Sequence, residues 1–141
     1  MNLPDHRACP RRRLHVLGRR DGKTGSAQEV CHVLGGAYNL SHGDTHAVVL
    51  PYAVAFNRDA APHAVSQIAS ALGAAHAELG LWQLGAEIGA PTSLVDIGFD
   101  PSDIDDVART VAQGEFPNPR PVTVEGVRSL LAAACAGQPP R

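Results

Sequence analysis

Residues 31–52 read Cys31-His32-Val33-Leu34-Gly35-Gly36-Ala37-Tyr38-Asn39-Leu40-Ser41-His42-Gly43-Asp44-Thr45-His46-Ala47-Val48-Val49-Leu50-Pro51-Tyr52. Val30, Cys31, Val33 and Leu34 have the spacing of a short helix that begins near Ala27. Paired glycines at 35 and 36 favour a helix end, so this helix is expected to stop there. A polar loop, Tyr38-Asn39-Leu40-Ser41, separates it from a second helical stretch running from about Gly43 to Phe56. Pro51 lies inside that stretch. It lacks an N–H and crowds the preceding turn, so it should kink or split the helix. Two helices joined by a tight, glycine-rich corner is the reading from which the rest of the chain is worked out.

Downstream the helical texture continues. Pro62 suits a first turn, with Val65, Ile68, Ala69 and Leu72 on one face. Leu81, Leu84 and Ile88 mark the apolar face of the next helix, ended by Gly89 and Pro91. Asp100-Pro101-Ser102-Asp103 combines a capping Asp, a proline at the first position and an acid in the first turn, and Ile104, Val107, Ala108 and Val111 supply the stripe that follows. Pro117-Asn118-Pro119-Arg120-Pro121 must be extended, because a residue before proline avoids the α region. A last helix begins near Thr123, with Val124, Val127, Leu130, Leu131 and Ala134 at helical spacing. No strand is expected after residue 26, and there is no internal repeat. The fold class is all-α, and the helical domain is expected to span residues 27–136, followed by a disordered tail at 137–141.

Upstream the texture breaks. Residues 1–23 carry a balance of +5, while the rest of the chain carries −7, which together give the net −2. Pro4, Pro10, Gly18, Gly22 and Gly25 interrupt every run, so residues 1–26 read as a basic, poorly ordered leader. The arginine run 11–13 has no aromatic or helical pattern beside it, so a solvated tail is expected and no nucleic-acid partner. Gly18 to Thr24 approaches a phosphate-binding loop, but the glycines are one residue too close and no apolar helix follows.

The 141 residues suffice for one domain with a core, and 44% apolar with 18% charged residues excludes wholesale disorder. Only six aromatics are present, which favours closely packed helices. No apolar run approaches the ~20 residues of a membrane span, and no signal peptide is visible. Cys9, Cys31 and Cys135 are odd in number and far apart, as expected for reduced thiols in a cytoplasmic protein.

Chemistry could sit at the histidines. His42 and His46 are four apart, so on a helix both imidazoles share one face, within reach of one ion or one anionic ligand. Asp44 between them points elsewhere, and glycines at 35, 36 and 43 would let backbone approach a bound molecule. Spacing alone is equally met by ordinary surface or core histidines, and His63 and His76 are assigned to that class.

The stretch 31–52, above all Cys-His-Val-Leu-Gly-Gly and Thr-His-Ala-Val-Val-Leu-Pro, resembles the signature of the iron-containing alcohol dehydrogenase superfamily, and its maleylacetate reductase branch in particular. Gly89-Ala90-Pro91-Thr92-Ser93-Leu94 and Asn118-Pro119-Arg120-Pro121 fit the same branch, and the match runs from about Val30 to Ala134. The resemblance implies the all-helical C-terminal domain of the dehydroquinate synthase-like fold. In the family that domain packs against an N-terminal α/β domain binding NAD(P)H, with the active site in the cleft between. It implies an oxidoreductase that reduces maleylacetate to 3-oxoadipate in the breakdown of aromatic compounds. The wider family uses iron or zinc held by one Asp and three His.

Carried over by position, His42 occupies a metal-ligand position, and His32 matches a histidine near nicotinamide and substrate. His46 matches a histidine typical of the branch. The expected catalytic residues are therefore His32 and His46, with His32, His42 and His46 binding a small dicarboxylate substrate. Gln28 stands where the family has another ligand, and Ser41 replaces the usual proline, so the metal site is incomplete. A one-base shift over codons for Gly25-Ser26-Ala27-Gln28-Glu29 can yield Gly-Leu-His-Lys, similar to the family's Gly-Leu-His-His-Lys. Residues 1–29 are accordingly read as frame-shifted sequence, with a genuine leader as the alternative. The chain is expected to be inactive without a nucleotide-binding domain. The face that meets that domain in the family should favour self-association or a partner. The alternatives are a non-catalytic helical module acting with a partner and a small histidine-based metal-binding domain.

Overall fold

The computed structural model describes residues 25–114 and 117–141. Six α-helices follow one another there: α1 Gly25–Tyr38, α2 His42–Asn57, α3 Pro62–Leu72, α4 Ala77–Glu87, α5 Ile104–Gln113 and α6 Val124–Ala136. Single 3₁₀ turns at Val95–Ile97 and Pro101–Asp103 lead into α5, and no strand occurs among the described residues. The all-α expectation holds. Residues 1–24 of the expected leader, with the near phosphate loop, the arginine run and Cys9, lie outside the described residues, while its last two, Gly25 and Ser26, open α1.

α2 is the axis of the domain, in contact with α1, α4 and α6, while α5 packs on α1 and α6, and α3 on α4. The core gathers one stripe from each of four helices: Val30, Cys31 and Leu34 of α1, Val48 and Val49 of α2, Val107 and Val111 of α5, and Leu131 of α6. Leu94 joins them from the segment before α5, with no exposed surface. Burying a side chain of this size stabilises by about 1.5–3 kcal/mol, so these contacts outweigh local backbone preferences along the inner helices.

Two departures from the expected helices follow from that balance. α1 does not stop at Gly35-Gly36 but runs on to Tyr38. Its last turn is held from outside, since Tyr38 meets the Phe99 ring edge-on at a centroid distance of 5.5 Å. The helix ends instead where Asn39 turns left-handed, at φ 54°. α2 is likewise unbroken across Pro51. Val48 and Val49 before the proline, and Tyr52 and Ala53 after it, are all buried. Their packing offsets the roughly 3 kcal/mol that an interior proline costs.

The third departure concerns α4. Its buried residues are Ala77, Glu78 and Gly80, whereas Leu84 is 42% and Ile88 71% exposed. The face expected from Leu81, Leu84 and Ile88 is thus not the core face. A Cβ on Gly80 would lie 2.8 Å from the Cβ of Ala74, so the helix presents its smallest residues to the tight α3–α4 corner. Leu84 and Ile88 are left on the outer side, while Trp82 packs against the core.

Helix ends elsewhere follow local chemistry closely. Pro62 opens α3, and Gly73 closes it in the left-handed conformation. The Asp100 side chain accepts a hydrogen bond from Ser102 N at 2.9 Å, and the Thr123 hydroxyl accepts one from Gly126 N at 3.1 Å. The connector at 117–121 is fastened to the end of α2: Asn118 Nδ2 donates to Asn57 Oδ1 at 2.9 Å, and the Arg120 guanidinium lies 4.3 Å over the Phe56 ring. Beyond Gly137 there is no regular structure, yet the Tyr52 hydroxyl donates to the Gln138 carbonyl at 2.6 Å and Pro140 is buried.

Candidate functional site

The corner between α1 and α2 carries the candidate residues. Thr45, fully buried, donates to the Ser41 carbonyl twice, from its N–H at 2.9 Å and from its hydroxyl at 2.7 Å. Those bonds fix the first turn of α2, and with it the position of His42. One helical turn on, His46 brings its ring against that of His42, with centroids 4.2 Å apart and planes inclined at 65°. His42 is exposed, His46 half-buried with its Nε2 atom shielded from solvent, and Asp44 exposed.

The i, i+4 pairing expected for His42 and His46 is therefore present in space. His32 lies on α1, exposed, and is not part of that ring contact. Gln28 precedes it by one turn and is half-buried. His42 opens a 16-residue helix, at an end where unpaired backbone N–H groups and the helix dipole favour negative charge, and His46 follows one turn later. Two imidazoles at such an end suit a carboxylate ligand. His63 on α3 and His76 at the start of α4 are exposed and belong to other parts of the surface.

Cys31, next to His32 in sequence, contributes no nucleophile. It is fully buried, and burial pushes its thiol up to about 12, which keeps it protonated and inert. Cys135 is half-buried and shifted in the same direction for the same reason.

A catalytic metal ion needs three protein ligands or more. Among the described residues no group of three or more His, Cys, Asp or Glu side chains is placed to hold an ion. With glutamine at 28, these residues do not fit a complete catalytic metal site. They do not fit a dinucleotide either, since the strand–turn–helix unit that binds a pyrophosphate is not found among them.

Sequence reasoning missed the half-buried ion pair at the C-terminal end of α2. Arg58 NH1 donates to Glu78 Oε1 at 2.6 Å, with the Glu78 side chain 3% exposed. The two residues are twenty positions apart, and only the packing of α4 on α2 joins them. Together with His76 and residues 138–141 they line a shallow hollow remote in sequence from the histidine pair.

An all-helical domain with a His-x-x-x-His pair at a glycine-rich corner defines a class, and the comparisons agree with it. Residues 21–135 match the model of the Fe-containing alcohol dehydrogenase family, C-terminal domain. The chain belongs to this family. The match begins at residue 21, ahead of the Val30 start inferred from the motifs. Among relatives, maleylacetate reductase 1 of Rhodococcus opacus is 41% identical over 121 residues, covering 84% of this chain and 34% of the relative. Maleylacetate reductase of Pseudomonas sp. strain P51 is 40% identical over 113 residues, covering 80% and 32%. The crystal structure of maleylacetate reductase from Agrobacterium tumefaciens superposes with a TM-score of 0.78 at 36% identity, covering 82% of this chain and 33% of that one. The chain thus spans about a third of the length of the relatives it matches. No helix among the described residues is long and apolar enough to cross a membrane.

Proposed function

We propose that this chain is the substrate-side helical domain of a cytoplasmic, maleylacetate-reductase-type oxidoreductase, and that it works only together with a nucleotide-binding domain. The observation that carries the reading is the His42–His46 contact at 4.2 Å at the start of α2, within a domain about 40% identical to maleylacetate reductases. Reducing maleylacetate to 3-oxoadipate requires a hydride and a proton added across a carbon–carbon double bond, the hydride being the contribution of NAD(P)H. This chain's part is the other half. His42 and the N-terminal end of α2 bind a carboxylate of the substrate. His46, paired with it, holds the proton, and His32 on α1 contacts the substrate from the opposite helix. No step is assigned to iron or zinc, because the described residues do not complete a site for it. Leu84, Ile88 and Val95, the exposed large apolar side chains among the described residues, favour self-association or a partner when the domain is alone.

The test is NADH oxidation with maleylacetate, by this chain alone and by a fusion of it behind the N-terminal part of the Rhodococcus opacus enzyme. The chain alone is expected to be silent with or without iron or zinc, and the fusion active. His46→Ala in the fusion should lower kcat by about a hundredfold or more, the usual contribution of a positioned acid. An active isolated chain, or a fusion indifferent to both His42→Ala and His46→Ala, would overturn the proposal. The same ring contact favours a second reading, a small metal clip formed by the two imidazoles. Calorimetry that detects no heat with zinc or iron(II) removes it.

A further inference from the structure

The corner that leads into the histidine pair contains two glycines that the fold does not use for fit. A Cβ on Gly36 would meet nothing within 4 Å, and one on Gly35 would meet only the Leu40 carbonyl, at an ordinary 3.8 Å. Neither has a positive φ; among non-glycine residues described, Asn39 alone does. Glycine in a helix interior is the least stable ordinary choice, so the last turn of α1 is weak by composition, without any compensating close contact. On either side the chain is firm. Val30, Cys31 and Leu34 are 0–1% exposed, and Thr45 and Val48 are equally buried. Between them Gly36, Ala37, Asn39 and Ser41 are all exposed. What holds the turn down is the Tyr38 ring on Phe99 and the half-buried Leu40 against the core.

We propose that residues 35–40 form a latched flap. The last turn of α1 unwinds when Tyr38 leaves Phe99, while the histidine-bearing parts of α1 and α2 stay folded. Each imidazole rides on a firm platform: His32 follows buried Cys31 on the first, and His42 and His46 flank buried Thr45 on the second. Opening therefore frees residues 35–40 without moving either platform, whatever the pair binds. Local openings of this kind occur with lower free energy than global unfolding and are read by amide exchange.

Native-state hydrogen exchange on the full chain tests it, with protection factors at Ala37 and Tyr38 compared with those at Leu34, Val48 and Val49. In the unmodified chain the flap amides should exchange at least roughly tenfold faster than the platform amides. The double variant Gly35→Ala/Gly36→Ala, for which the structure has room, should slow exchange at Ala37 and Tyr38 by about tenfold or more compared with the unmodified chain. Tyr38→Ala should speed it by roughly two- to tenfold, the worth of an edge-on aromatic contact. The readout is the exchange rate at Ala37 and Tyr38 themselves, which a local opening sets independently of global unfolding, while Val48 and Val49 report global stability separately. Flap amides as protected as Val48, or flap exchange rates that the alanine pair leaves unchanged, would overturn the proposal.

Discussion

The start of α6 and the start of α2 are built in opposite ways. α6 begins with a side-chain cap, the Thr123 hydroxyl on Gly126 N at 3.1 Å, after an extended proline-rich connector. α2 begins at Ser41, whose hydroxyl makes no cap bond and whose carbonyl instead receives both hydrogen bonds of buried Thr45. The first start is specified by residues adjacent in sequence and needs little from the rest of the domain. The second is specified by burial one turn into the helix. This leaves the Ser41 side chain without a cap bond, beside the histidines where the candidate chemistry lies.

Replacing a fully buried core residue, on which both starts depend only through the fold as a whole, should have the largest effect. Leu131 is fully buried and packs in the core with α2 and α5 residues. Leu131→Ala should lower the unfolding free energy by about 2–5 kcal/mol, read in a urea titration. The direct comparison is smaller and sharper. Thr123→Ala should cost about 1 kcal/mol, a typical loss for a removed N-cap, whereas Ser41→Ala should leave stability unchanged within error. Equal losses at the two sites would break the contrast between them.

The weakest expected effect is electrostatic and concerns the same C-terminal pair of helices. Arg128 Nε donates to Asp105 Oδ1 at 2.6 Å across α5 and α6. The hydrogen bond and charge of Arg128 hold the Asp105 carboxyl below the usual range. A depressed folded-state pKa means that the contribution is present above the ordinary aspartate pKa and is lost as pH falls through the lower folded value. Both groups face solvent, so the effect is small. An acid titration of stability should therefore be slightly less steep below about pH 4 in Arg128→Ala than in the parent chain.

What could be read from sequence divides along the same line. Pro62, Asp100 and Thr123 announced their helices because each acts on backbone groups within three residues. The class of fold and its family were legible in residues 31–52, and the His42–His46 pairing was legible because a helix sets the i, i+4 distance by itself. The end of α1 was not, because Gly35-Gly36 argues for a stop and only the Tyr38–Phe99 contact, sixty-one positions apart, overrules it. Nor was the outward face of α4, where close approach at Gly80 decides which side of the helix is buried. Arg58 with Glu78, and Asn57 with Asn118, were invisible for the same reason: each pair is made by packing rather than by neighbourhood in the chain.

The bond from Tyr52 to the Gln138 carbonyl has a practical side. The C-terminal residues are moored to the central helix, so anything fused directly after Arg141 starts from a docked position rather than from a free end. A fluorophore attached there would sense the middle of α2, and an affinity tag would be better presented at the end of a spacer.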